Sequence, residues 1–415
     1  MTVLIKNVTI VHEGSKHHLQ KTDIFINNGK IEKIGKNIKA ADAEVIKGND
    51  LYCCIGLCDI GTHSGEPGYE HRETIDSLTK AALAGGYTTL AVFPNNKPVT
   101  QSKADIKYLK DHPDRNGVEI LPIGALSKDL KGVDIAEYMD MTSAGAIAFS
   151  DGMKSVQDTG LISRALQYAN QVDGIIIHHP DDHYLSQGGE MHEGDMSTSL
   201  GMKGVPVIAE LNLVQRDILI NDYNKGTIVE HCISSERSVK AIKAAKKDGN
   251  RITATVSYQN LLHTDEDLND FDTNLKVSPV LRAKSDKKAL IQGLNDNTID
   301  VIVSNHTPLD EEAKNLEFTY ATSGATGLET CLAATIGSLQ KVITIPQLIH
   351  KLTVTPRQVL KLPIPDIEVG AKANLCIFDM DSSEGIIKSD FKSKSNNNPY
   401  IGKDFGVKVV ATMIG

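Results

Sequence analysis

The 415-residue sequence predicts an α/β fold: a (β/α)8 TIM-like barrel carrying a small β-sandwich built from both chain ends. Three observations carry that expectation. Strand-like and helix-like segments alternate through the middle of the chain, which implies a parallel sheet. About eight such units over roughly 300 residues suit a closed barrel better than an open sheet. Both ends are strand-rich and lack the helical pattern, so they are expected to pair with each other. The end domain is therefore placed at residues 1–52 plus 366–415, and the barrel at 53–365.

The elements follow in order. Residues 2–11 (TVLIKNVTIV) and 22–35 (TDIFINNGKIEKIG) read as strands, and Asn28-Gly29 between two alternating runs is a strong hairpin signal. Residues 50–60 (DLYCCIGLCDI) form one apolar run, as expected of a strand buried on both faces. Beyond it, helix-like segments at 73–85, 159–171, 234–248 and 284–295 alternate with strand-like ones. Those strands lie at 87–93, 118–123, 145–149, 174–178, 227–231, 252–256 and 299–303. Ser234 with Arg237, or Ser235 with Ser238, stands where a helix cap would, and Ser285 ahead of a Lys-rich run stands at another. Residues 369–379 and 406–414 return to a strand pattern, and 391–398 (FKSKSNNN) reads as a polar loop between them.

Composition excludes several classes. The net charge is −9 with no basic block, so nucleic acid is not an expected partner. No stretch reaches the roughly 18 apolar residues of a membrane span, and residues 1–10 do not resemble a secretory signal. The six cysteines form no paired framework, which suits a reduced, cytoplasmic protein.

A hydrolytic barrel builds its site at the C-terminal ends of its strands. His63 follows the first buried strand, Asp151 follows AGAIAFS, His178 ends GIIIH, His231 ends TIVEH, and Asn305 and His306 follow IDVIVS. One such histidine is ordinarily structural; five strand ends bearing His, Asp or Asn point to a site. His179, Asp181, Asp182 and His183 form a polar cluster just beyond, which reads as a solvated loop or, less readily, a replacement site. His192 reads as a loop-ordering residue.

The segment Asp59-Ile-Gly-Thr-His63-Ser-Gly-Glu66-Pro67-Gly68, followed by ETIDSLTKAALAGGYTTLAVFPNN, resembles the dihydroorotase signature. The similarity continues through AFSDG, HHPDD, MHEG, EHCIS, TNLKVSPVLR, VIVSNHTP and GATGLET, over nearly the whole chain. The resemblance implies a metal-dependent cyclic amidohydrolase of pyrimidine biosynthesis. It assigns metal-ligand positions to His63, Asp151, His178 and His231, a substrate contact to Asn95, and the aspartate that is ligand and base to the position of Asn305.

Several positions depart from the family pattern. Gly61 stands where a second histidine belongs, and Gly65 replaces the arginine that grips the substrate carboxylate. Ser278 and Val280 replace Asn and Pro, Leu309 replaces a histidine, and Thr322-Ser323 replace Pro-Phe. An amide at 305 cannot take a proton at neutral pH. At most one zinc is expected, at His178 and His231, or none. The expectation is a pseudoenzyme, inactive or strongly impaired, serving as a structural or regulatory partner. Aspartate transcarbamoylase is the partner the resemblance suggests, and a homo-oligomer is expected. The competing expectation is an active cyclic amidohydrolase with a rebuilt one-metal site.

Overall fold

A computed structural model describes residues 2–415. The N-terminal segment forms strands β1 (Thr2–Ile10), β2 (Lys21–Asn27), β3 (Lys30–Gly35), β4 (Glu44–Ile46) and β5 (Leu51–Ile55). The β2–β3 hairpin turns at Asn28 and Gly29, with φ of 49° and 72°, the left-handed pair that matches strand twist.

The apolar run at 50–60 is two strands rather than one. β5 pairs antiparallel with a strand near the C-terminus, while β6 (Leu57–Thr62) pairs parallel inside the barrel. Gly56 lies between them, and a Cβ there would fall 2.2 Å from Thr88. The chain passes from one sheet to the other at a residue whose side-chain space is taken by Thr88 and Asn374.

The barrel continues with β7 (Tyr87–Val92), β8 (Glu119–Ala125), β9 (Ala148–Ser150) and β10 (Ile176–His178). A two-residue parallel pair follows, β11 (Met191–His192) with β12 (Gly204–Val205), outside the barrel. Strands β13 (Ile228–Glu230), β14 (Ile252–Ser257) and β15 (Val301–Val303) complete eight parallel strands in sequence order. The His63 N–H donates to the His306 carbonyl at 3.1 Å and draws the first and last strands together. The barrel is filled by Cys58, Ile60, Ala91, Ile123, Ile177, Val229, Val301 and Val303.

Strands β16 (Asn374–Asp379) and β17 (Lys408–Ile414) join β1–β5 in one seven-stranded sheet. Its core gathers Ile5, Ile24, Ile31, Cys53, Leu375 and Ile377 from both chain ends. Helices Thr159–Gln171 and Glu236–Lys247 lie where the pattern places them, the second capped by Ser235. Ser285 is not a cap: helix Lys284–Asn295 begins one residue before it, behind Ala283.

The FKSKSNNN segment is more than a polar connection. Ser393, Ser395, Asn397 and Asn398 are buried against the barrel. Ser395 Oγ donates to the Arg72 carbonyl at 2.7 Å, and the Lys394 N–H donates to Glu73 at 2.9 Å. Asn397 donates to the carbonyls of Thr307 (2.9 Å) and Gly324 (3.1 Å) and accepts from the Leu309 N–H (3.1 Å). The segment is a strap that fixes the loops around one end of the barrel.

Candidate functional site

Alternation along a strand decides which side chains enter the barrel mouth. In β10, Ile177 faces the barrel core and Ile176 the outer layer. His178 therefore turns outward. Its Nε2 accepts the Val156 N–H at 3.1 Å, and its Nδ1 lies 2.6 Å from Asp217 on helix Val207–Asn224. The next residue, His179, turns inward, with Nδ1 3.1 Å from the His231 carbonyl oxygen. The expectation that His178 shares an ion with His231 is thus corrected by one residue. The in–out parity of GIIIHH carries the signal that would have found His179.

The same correction applies to Asp151. Ala148 faces the barrel core, whereas Phe149 stacks on Tyr138 outside it, with ring centroids 3.8 Å apart. Asp151 then turns away from the mouth, where its carboxylate accepts the Ser127 N–H at 2.8 Å and the Ser127 hydroxyl. Burial raises its pKa and the Ser127 hydrogen bonds oppose that rise. Gly152 holds the inward position. A Cβ on it would lie 1.9 Å from Asn95 Oδ1, so the Asn95 amide occupies that space.

His63, Asn95, His231 and Asn305 do lie at the mouth. His231 is fully buried, with Nδ1 3.2 Å from the Thr255 hydroxyl and Nε2 3.3 Å from Cys232 Sγ. Phe93 packs against both imidazoles, 5.4 Å from the His63 ring and 5.1 Å from the His231 ring. Asn305, at φ 49°, donates its amide to the Ser278 carbonyl at 2.9 Å. Burial, and then His306, holds the His63 pKa down to about 4. Burial, then His179 and His63, holds that of His231 to about 3. Both rings are neutral at neutral pH.

The neighbouring polar residues are structural. Asp59 accepts the Ser304 N–H (2.8 Å) and the hydroxyls of Ser304 and Thr62 (both 2.6 Å), tying β6 to β15. His306 accepts the Gly327 N–H at 3.1 Å. His192 Nδ1 sits 3.4 Å from the Arg282 guanidinium.

This set does not fit the metal centre expected of such a barrel. Gly61 and Gly152 offer no ligand, Asn305 offers a neutral amide already in use, and no carboxylate points in. Among the described residues, the one group of three whose ligand atoms lie within 4.8 Å of one another is His178, Asp217 and Glu230, outside the barrel. That group does not fit a cation either. The Val156 N–H on Nε2 leaves the His178 proton on Nδ1, the atom that would have to ligate.

Beside these histidines the mouth opens into a cavity of about 290 Å³. Gly65, Asn95, Ser278, Leu309, Thr322 and Ser323 line it, together with His63, Tyr69 and Arg72. Gly65 has φ 71°, and a Cβ there would meet the Glu73 backbone at 2.5 Å, so its loop is not built to carry an arginine.

A family model of dihydro-orotase-like domains matches residues 52–237. The chain is 40% identical to the dihydroorotase of Pelotomaculum thermopropionicum over 417 aligned residues, covering 100% of this chain and 97% of that protein. It is 36% identical to the dihydroorotase of Syntrophus aciditrophicus, covering 100% and 98%. Among solved structures, the L-hydantoinase of Arthrobacter aurescens superposes with a TM-score of 0.84 at 22% identity, covering 100% of this chain and 95% of that one. The dihydropyrimidinase of Brevibacillus agri superposes with a TM-score of 0.80 at 20% identity, covering 99% and 93%. Those two likenesses concern the fold, a barrel with a sheet drawn from both chain ends. The relatives that match end to end go further: the chain belongs to the dihydroorotase family of cyclic amidohydrolases.

Proposed function

We propose that this chain is a dihydroorotase-family barrel without a hydrolytic centre, serving pyrimidine biosynthesis as a structural or regulatory partner. One observation carries the reading: Phe93 packs against both His63 and His231 while positions 61, 152 and 305 hold glycine, glycine and an amide. Hydrolysis of a cyclic amide needs an acidified water and a base to take its proton. No carboxylate at the mouth supplies the second, and the three imidazoles do not assemble a ligand set for the first. Aspartate transcarbamoylase is the partner to test first, alongside self-association.

The experiment is elemental analysis of the purified chain with an assay of dihydroorotate ring closure and opening, alone and with aspartate transcarbamoylase. The expected result is no stoichiometric divalent metal and no turnover by the chain alone, with a complex detected by sedimentation. Robust metal-dependent turnover by the pure chain would overturn the reading. It would favour the second one, a one-metal enzyme, whose support is the meeting of His63, His179 and His231 at one mouth.

A further inference from the structure

Helix Val207–Asn224, on the outside of the barrel, reverses the usual placement of charge on a surface helix. Glu210 and Asp217 are buried against the protein, and Arg216 folds back onto the Val156 carbonyl (2.7 Å) and Asp217 (2.8 Å). The face turned to solvent is apolar instead: Ile208, Leu219 and Tyr223 lie on it, the last two 72% and 81% exposed. Positions 208, 212, 215, 219 and 223 recur at three- and four-residue steps, so they form one stripe along about 27 Å of helix. The charge on that stripe, Asp222, is neutralised by Lys225 at 2.8 Å. The next helix of the ring, Glu236–Lys247, turns Lys240, Lys243 and Lys247 to solvent. The apolar surface continues past both ends of the stripe. At the N-terminal end the Asp182 N–H donates to the Ala209 carbonyl at 2.9 Å, which holds the exposed Tyr184 and Leu185 beside the helix. At the C-terminal end Gln167 donates to Asn224 at 3.0 Å, which places the exposed Tyr168 there.

We propose that this face pairs with the same face of a second copy of the chain, the two helices lying antiparallel about a twofold axis near Gln215. The stripe is self-complementary in that arrangement, as a twofold interface requires. Its positions are symmetric about the middle of the helix, so Ile208 faces Tyr223 of the partner subunit and Asn212 faces Leu219 of the partner subunit. Gln215 meets its own copy, and Tyr184 and Leu185 reach Tyr168 of the partner subunit. Antiparallel placement sets each helix N-terminus beside the other's C-terminus, which the helix dipoles favour. The six exposed apolar side chains offer on the order of 800 Å² per copy, a tyrosine supplying about 150–250 Å², and a stable interface takes about 800 Å² from each partner. Aromatic side chains with few charges among them are what the centre of such an interface contains. The inference gives a face to the self-association named above and is independent of whether the mouth hydrolyses a substrate.

Sedimentation equilibrium tests it on the full chain. At about 10 μM, above the micromolar dissociation constants of the weakest interfaces of this size, a dimer is expected. Leu219→Glu should weaken the dimer by about a hundredfold or more, with circular dichroism unchanged, because association would bury an unpaired carboxylate. Val369→Glu, at an exposed apolar position of the end domain, should leave the dimer intact. Gln215→Cys places a thiol at the axis, and the six natural cysteines are buried, so a short bismaleimide should link two chains through it. A monomeric parent, a dimer that folded Leu219→Glu leaves intact, or a dimeric Gln215→Cys chain that does not crosslink would each overturn the inference. So would a monomeric parent that binds a different protein through the stripe. Turnover by the dimer would instead overturn the proposed function and leave the interface standing.

Discussion

A β-carbon built on Gly61 would lie 2.6 Å from His231 Cε1 and 2.7 Å from the Phe93 ring, on a backbone with φ 90°. The space a ligand histidine needs is therefore already filled, and the backbone there disfavours any side chain. Gly61→His should lower the unfolding free energy by about 1–3 kcal/mol through overpacking, with further cost from the backbone. Thermal unfolding measures it. Combined with Phe93→Ala, the loss should be smaller than the sum of the two single losses, because the ring's place is emptied; a single Gly61→His variant as stable as the parent would refute this. Restoring Gly65→Arg meets the Glu73 backbone in the same way, so rebuilding the motif is expected to cost folding before it gains chemistry. Asp151 behaves as a structural residue. Asp151→Ala strands the Ser127 N–H and hydroxyl in a buried site, at a cost of about 1–3 kcal/mol. The expected signature is a lower urea midpoint with metal content unchanged; a variant that alters metal content instead would return Asp151 to the site.

At the scale of elements, the strands and their order were legible because strands buried on both sheet faces read as continuous apolar runs between helix-patterned segments. The strand ends were harder. Reading the first His or Asp after a strand as the inward residue put Asp151 and His178 in the mouth, whereas in–out alternation places Gly152 and His179 there. A slip of one residue exchanges the two faces completely. The split at Gly56 was hidden for another reason: β5 and β6 are equally apolar, though one lies in the end sheet and the other in the barrel. The strap was illegible as structure, because Ser and Asn look like solvent-facing loop residues until their partners are known. Asn397 is the test. Its amide serves the Thr307 and Gly324 carbonyls and the Leu309 N–H at once. Asn397→Ala should destabilise the chain by about 2 kcal/mol or more. It should also raise amide exchange through residues 307–309; exchange confined to the strap itself would show that the strap does not hold those loops.

Across the whole molecule, buried titratable groups pull stability in opposite directions as pH changes. Burial holds His231 to about 3, with His179 and His63 adding to it, and His179 is lowered chiefly by burial as well. In the unfolded chain such an imidazole binds a proton below about pH 6.5. Between that value and the folded pKa the unfolded state holds more protons, so stability falls as pH falls. Glu329 runs the other way. Burial raises it to about 7, so over the range from about 4.5 to 7 the folded state holds more protons and stability grows as pH falls. The unmodified chain therefore shows only a sum, and its pH profile by itself identifies neither group. Comparison with His231→Gln isolates one contribution, since the variant keeps Glu329 and loses the imidazole. From about pH 6 to pH 5 the parent should lose about 1 kcal/mol relative to His231→Gln in urea unfolding. A difference that stays constant over that interval would mean that folded His231 takes up its proton as the unfolded one does. The ring would then have to be reachable by water, and the burial of His231 against Phe93 would not hold in solution.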